Sequence, residues 1–419
     1  MINLIIYSAL GFSLFYFLIR NRVDFLLLFF LSLTLYHWQI IGGEIILPPY
    51  RFEVSSNSKL IVSLVYIIHT FITILHDYLN NNKKERITFD NLNVTRKYDS
   101  IFYILTFLSL ILTIRAISIV GIDFIYKADY AIALQENNIG MVWLHYPAAI
   151  SILYATLTKN RLLFLLALLP LSLYAYIGFR AVFITSYIGI VTIYSFNSKL
   201  FEKKTLIIGF LSIIIFLSFA FYKVTYYDFK DKEVDLVETF NKRSLYFEED
   251  EYIKKILFYN EFGQTASNLS LSVEQNLGQY YQISTVIFGS IPYMKRITNI
   301  TEDDVRFSRL IDKYANPGFS YGLGSTIWGE GYAAFNLFGV ILFSLVVSII
   351  ISYLNSAFYR SNLLLILSPY FLSYLSFYIH RSELALVFAH LKNIIFLLLV
   401  SLVILYSLKI FRHILKIDK

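Results

Sequence analysis

Runs of about 17–25 almost uniformly apolar residues recur along most of this chain, and nothing else constrains its fold so strongly. Inside hydrocarbon a backbone amide has no water to bond, so such a run must satisfy its own N–H and C=O groups as a helix, or join a closed barrel. The runs are too long, and too uniform, for the period-two alternation of a barrel strand. The expected fold is therefore all-α, a polytopic transmembrane helical protein. Helices are predicted near 2–19, 23–41, 59–79, 98–120, 141–158, 161–177, 180–197, 204–223, 331–355, 363–380 and 384–408, eleven in all. Only Gly178, Phe179 and Arg180 separate the sixth and seventh, so one long bent helix is the rival there. Composition agrees: 57% of the 419 residues are hydrophobic and 16% charged, against about 25% charged in soluble domains.

The chain has no cysteine, which excludes disulfides and thiolate metal sites. The opening run, Met1 to Ile19, lacks a basic start and a small-residue cleavage site. It is expected to be a retained helix and not a removed signal. The net charge of +7 gains meaning from its placement. Seventeen Lys and Arg, among them Arg20, Arg22, Lys83, Lys84, Arg86, Lys199 and Lys203, fall in one set of loops. Five, Arg51, Lys59, Lys127, Arg180 and Arg381, fall on the other side. Positive charge collects in cytoplasmic loops, so the first set is expected inside, and the charge speaks for topology, not nucleic acid. The chain then divides into N-terminal helices (1–222), an outer loop or cap (223–330) and C-terminal helices (331–419). The outer loop holds sixteen acidic and twelve basic residues and many aromatics. Helical apolar spacing over Leu236 to Phe262 predicts a small helical cap.

Charged groups at membrane depth are costly and usually face a cavity or a partner. Arg115, Arg180, Arg381 and Lys392 are all expected in the outer half of the membrane. There an arginine fork suits a pyrophosphate, and the plainer alternative is snorkelling to headgroups. For Arg180 the tight turn favours a functional role. The densest signal is the run from Asn316 to Tyr332, with five glycines in 318–331. Tyr321, Gly322, Gly324, Ser325 and Trp328 lie in it, and such a backbone can approach a sugar closely. Glu330 ends the run at the expected start of a helix. It is either a helix-start residue or a general base for an acceptor hydroxyl. The acidic run Glu302-Asp303-Asp304 ahead of Arg306 and Arg309 reads as a solvated turn. The seven histidines show no metal-ligand spacing, and no phosphate-binding glycine motif is present.

Three segments carry a resemblance to the Wzy-type O-antigen and oligosaccharide repeat-unit polymerases. They are Gly178-Phe179-Arg180-Ala181, Phe288-Gly289-Ser290-Ile291-Pro292-Tyr293 followed by Arg296, and Pro317 to Gly339. The second is similar to the family's "IPR" run, with Tyr293 standing where an Arg is common, and the third looks like its "PG…GGS…E.Y.NFG". The helix count and the late outer loop resemble the family over essentially the whole length. The resemblance implies a multi-pass protein of the bacterial inner membrane. It implies transfer of a growing glycan between polyprenyl-pyrophosphate carriers, with no nucleotide, metal or other cofactor. Membrane lipid and a chain-length-regulating membrane protein are the implied partners, and nucleic acid is not. Arg180, Glu330 and Arg381 become the expected catalytic residues. Arg296, Tyr321, Gly322, Gly324, Ser325, Trp328, Lys392 and Arg115 become expected substrate contacts. The related ligases carry a functional His near the end of the corresponding loop, and 223–330 has none. A flippase or other transporter is the alternative from another class. Such proteins usually show internal repeats and interrupted helices, and the apolar pattern reveals neither.

Overall fold

The computed structural model describes residues 2–47, 50–80, 89, 94, 96–121, 142–177, 180–215, 218, 261–291, 300, 306–315, 325–359 and 368–417. The predicted cap over 236–262 lies outside them except for its last two residues. Among the described residues the helices of eight residues or more are α1 Ile2–Arg20, α2 Phe25–Tyr36, α3 Ser56–Asn80, α4 Asp99–Val120, α5 Val142–Leu157, α6 Arg161–Ile177, α7 Arg180–Tyr194, α8 over 203–215, α9 Glu261–Glu274, α10 Ile283–Ser290, α11 Ile327–Ser356, α12 Pro369–Phe377 and α13 Leu384–Ile417. One antiparallel hairpin, Glu44–Leu47 with Tyr50–Glu53, is an exception to the all-α expectation, pairing Glu44 with Glu53 and Leu47 with Tyr50. Its continuous Ile-Ile-Leu run carries no helical period to separate it from the helices around it.

Among the described residues five helices are long and apolar enough to cross a membrane: α1, α3, α4, α11 and α13. Three more, α2, α6 and α7, are apolar but shorter. Their outward faces carry Phe15, Phe71, Ile111, Leu165 and Val403, each at least 60% exposed. So broad an apolar surface would drive association in water and is at home in lipid. This is a membrane protein.

The helices associate through small and polar contacts, as expected where lipid removes the hydrophobic drive between them. Helix α3 lies between α1 and α11. Thr70 Oγ1 donates to Ser13 Oγ at 2.7 Å, and His69 bonds the Leu26 carbonyl at 2.9 Å and Ser348 at 3.2 Å. Helix α5 packs on α4, α6 and α7, with the Phe102 and Tyr154 rings stacked at 3.7 Å. Helix α12 fills the space between α2 and α7, where Gly189 meets Ser373.

A buried ionic cluster ties one end of the bundle. Arg20 donates to Asp24 at 2.8 and 2.5 Å and to Asp77 at 2.6 Å. Arg22 also reaches Asp77, and Asn355 donates to Asp24 at 3.1 Å. Asp24 caps α2 by accepting from Leu27 N at 3.1 Å. Burial works to raise its pKa, and the Arg20 guanidinium outweighs it, holding the carboxyl down to about 2. The cluster joins the ends of α1, α3 and α11 to the start of α2. The opposite end of α3, about 27 Å from Asp77 by helical rise, is marked by Lys59 Nζ donating to Asn3 at 2.7 Å.

Helix α11 departs from expectation. It was predicted as one helix from Gly331, but it starts at Ile327 and breaks at Phe335 and Asn336, whose φ/ψ are −147°/27° and 54°/−144°. The hydropathy pattern reads through the break because Phe335, Leu337 and Phe338 are all apolar. So an interrupted helix is present after all. The two parts, 327–334 and 337–356, fold onto each other so closely that a Cβ on Gly339 would overlap the Gly331 carbonyl oxygen. The short part is wedged further: a Cβ on Gly329 would overlap Ser272 of α9, and one on Gly278 would lie 2.8 Å from the Ala333 carbonyl oxygen.

Asn336 holds a dihedral region that only glycine occupies freely, at a cost of about 1–3 kcal/mol. Asn336→Gly is expected to raise stability by about 1 kcal/mol, and Asn336→Val to lower it by about 1–3 kcal/mol. Thermal unfolding of the purified protein in detergent, followed by size-exclusion recovery, checks both signs.

Candidate functional site: a buried carboxylate pair

The short part of α11 brings Glu330 to the end of the bundle away from the Arg20 cluster. Tyr332, two residues on, lies 3.5 Å from Asn57 at the start of α3. Glu330 is fully buried. Tyr281, from the turn before α10, donates its hydroxyl to Glu330 Oε1 at 2.5 Å. The Leu384 backbone N–H donates to Oε2 at 2.6 Å. Leu384 opens α13, and the first N–H groups of a helix have no partner within it. Glu330 is therefore a helix-start residue, but it caps α13 and not its own helix. The helix dipole adds to the attraction.

Glu383, the residue before Leu384, is equally buried. Its carboxylate accepts from Arg306 Nε and from Ser308 N at 2.8 Å, while its carbonyl accepts from Leu386 and Val387 N–H at 3.0 and 3.1 Å. The two carboxylates feel each other's charge. They differ in compensation: Glu383 has a guanidinium, whereas among the described residues no cation pairs with Glu330. Burial, and then the charge of Glu330 beside it, hold the Tyr281 phenol far above its usual range, so Tyr281 serves as a donor. A carboxylate fixed by a phenol and an amide, beside one already neutralised, can take a proton from a hydroxyl brought to it.

Two residues along the short helix, Trp328 donates its indole N–H to His380 Nδ1 at 3.2 Å. His380 Nε2 lies 3.0 Å from Ser32 Oγ, which itself donates to the Ser376 carbonyl at 2.6 Å. With Nδ1 accepting, the ring carries its proton on Nε2 and is neutral. This chain locks the short helix to α2 and α12. Behind it Tyr146 bonds His390 at 2.6 Å, and Tyr374 bonds Ser382.

Of the residues singled out from sequence, Glu330, Trp328 and Ser325 are thus collected on or beside the short helix, all buried. Arg381 sits in the turn Tyr378–Arg381, half-buried and two residues before Glu383. Lys392 lies two turns into α13 and is exposed, and Arg115 is exposed on the outward face of α4, not gathered to the pair. Arg180 begins α7, and its side chain lies outside the description, as do Arg296, Tyr321, Gly322 and Gly324 altogether.

Tyr281 and Glu383 were not singled out, and Arg306 was read as part of a solvated turn. Glu383 did carry a signal: it is the sole carboxylate between Glu330 and Asp418, at the start of a strongly apolar run. Among the described residues no group of three or more His, Asp or Glu is arranged to hold a metal ion. Compared with protein-family models, with curated proteins and with solved structures, the chain matches none.

Proposed function

We propose that this protein polymerises lipid-linked oligosaccharide repeat units. It would transfer the growing glycan from one polyprenyl-pyrophosphate carrier to the acceptor sugar of another on the outer face of a bacterial inner membrane. The product is an O-antigen, capsule or exopolysaccharide chain. The observation that carries this proposal is the Glu330–Glu383 pair, with Tyr281 and Arg306 attached, at the bundle end away from the basic loops. With those loops in the cytoplasm, the pair faces the compartment where carrier-linked glycans are joined.

Three roles are needed, and residues are at hand for each. Cations must stabilise the leaving pyrophosphate; Arg180 and Arg381 are assigned to it. A base must take the acceptor hydroxyl's proton; Glu330 is assigned to it. An aligned acceptor needs a fixed frame; the Glu383–Arg306 pair and the Trp328–His380 lock supply one. The glycine-rich run 316–324 leads directly into Ser325 and Glu330, which suits backbone contact with sugar.

The break in α11 favours the transporter alternative, because membrane transporters use discontinuous helices to present backbone groups to substrate. Surface-glycan ladders separate the two. Deletion of a polymerase collapses the ladder to a single repeat, whereas deletion of a flippase removes surface glycan altogether. In the deletion strain, Glu330→Gln is expected to accumulate normally and still give single repeats, a loss on the order of 10²-fold or more. Wild-type ladders from Glu330→Gln would remove Glu330 from the chemistry.

A further inference from the structure

Below the carboxylate pair, α10 and α13 border a groove of about 450 Å³, within the range of about 300–1,000 Å³ typical of ligand sites. Its walls include Ile287, Ile291, Phe388, Ile395 and Leu399, and among the described residues one cation, Lys392, opens into it. Both helices that border the groove also lead to the site. Helix α10 begins two residues after Tyr281, and α13 begins at the Leu384 N–H that binds Glu330. From Leu384 to Leu399 the axis descends about 22 Å, and Lys392 stands about 12 Å down it.

An ammonium on an apolar, lipid-facing wall is costly unless an anion answers it. Helical side chains lean toward the N-terminus of their helix, so the Lys392 ammonium is carried back toward the carboxylate pair. A ligand matching these features has a single long hydrocarbon chain, to lie in one lane between two helices, and a phosphate at its upper part. We infer that this groove binds the isoprenoid chain of a polyprenyl-pyrophosphate carrier, with Lys392 answering its phosphate and the first sugar reaching the Glu330–Glu383 pair. The inference rests on the polymerase proposal for the identity of the chain. It adds the lateral path by which a membrane-borne substrate reaches a buried site. A bilayer phospholipid, with two chains joined at its head, is the competing occupant.

The full-length protein in nanodiscs of phosphatidylethanolamine and phosphatidylglycerol tests this with a sugar-free, diazirine-bearing isoprenyl pyrophosphate. Photolabel is expected on 284–291 and 388–399, displaced by unlabelled isoprenyl phosphate but not by added phosphatidylglycerol. Ile287→Trp and Leu391→Trp fill the groove at positions 42% and 39% exposed, so the fold tolerates them; each should cut labelling at least about tenfold, as larger side chains block a fitted site. Lys392→Gln should weaken labelling about tenfold, the loss of one charge-assisted contact, and Lys392→Arg should retain it. Equal displacement by phosphatidylglycerol, or label confined to other helices, overturns the groove assignment. Labelling needs no glycan transfer, so the two proposals fail separately. Lost labelling with a Glu330-dependent ladder sinks the groove alone, and groove labelling with a Glu330-independent ladder sinks only the catalytic assignment.

Discussion

Arg306→Ala is expected to destabilise the protein by about 3–5 kcal/mol and to abolish the proposed polymerisation, because it strands a carboxylate that water cannot reach. Glu383 is fully buried and Arg306 is its cation, while the Arg306 side chain itself is 35% exposed. The pair is therefore asymmetric. Removing the guanidinium leaves two buried carboxylates, Glu383 and Glu330, in one pocket. Removing the acid instead leaves a guanidinium that solvent can still hydrate. Glu383→Gln keeps an oxygen for the Ser308 N–H, now 2.8 Å away, and should cost only about 1–3 kcal/mol, the range for one weakened buried hydrogen bond. In the double variant Arg306→Ala with Glu383→Gln, the stranded charge disappears. It should be more stable than Arg306→Ala alone, a non-additivity expected for directly coupled residues. Thermal unfolding of the four proteins in one detergent reads this cycle. Additive losses would mean that the two side chains do not form the pair described.

Gly339→Ala is expected to be the most damaging single methyl among the described glycines. The new Cβ would overlap the Gly331 carbonyl oxygen, a backbone atom one residue from Glu330. Overpacking usually costs about 1–3 kcal/mol because side chains yield. Here the two parts of α11 must separate, and the Glu330 contacts to Tyr281 and Leu384 go with them. A loss above about 3 kcal/mol, with poor accumulation in the membrane, is expected. Gly209→Ala in α8 is the control: nothing lies within 4 Å of its added Cβ, so it should be neutral or stabilising by up to about 1 kcal/mol. Recovery of monodisperse protein after detergent extraction distinguishes them. Normal recovery of Gly339→Ala would show that the helix break tolerates opening.

Both predictions concern contacts that hydropathy does not register, and this marks how far the chain can be read without its fold. The helices were readable because a long apolar run in lipid has one local solution, with every backbone bond made inside the segment. Hence α1, α4 and α6 lie within a residue of their predicted bounds. Glu330 was readable as a residue of interest because a carboxylate in an apolar setting is expensive wherever it ends up. Its partners were not: Tyr281 lies 49 residues away and Leu384 lies 54 away. The break in α11 was hidden for a different reason, since it resides in two dihedral angles flanked by apolar side chains that suit a straight helix equally well.

By itself, then, the sequence determined that this is a helical membrane protein and which charges its apolar surroundings make costly, because both follow from transferring local groups out of water. Only the tertiary structure decided that Glu330 caps a different helix, that Glu383 and Arg306 share its pocket, and that Gly331 and Gly339 touch across a broken helix. Those are matters of pairing between distant segments. Partner choice for a buried charge is set by the whole packing and not by any run of residues.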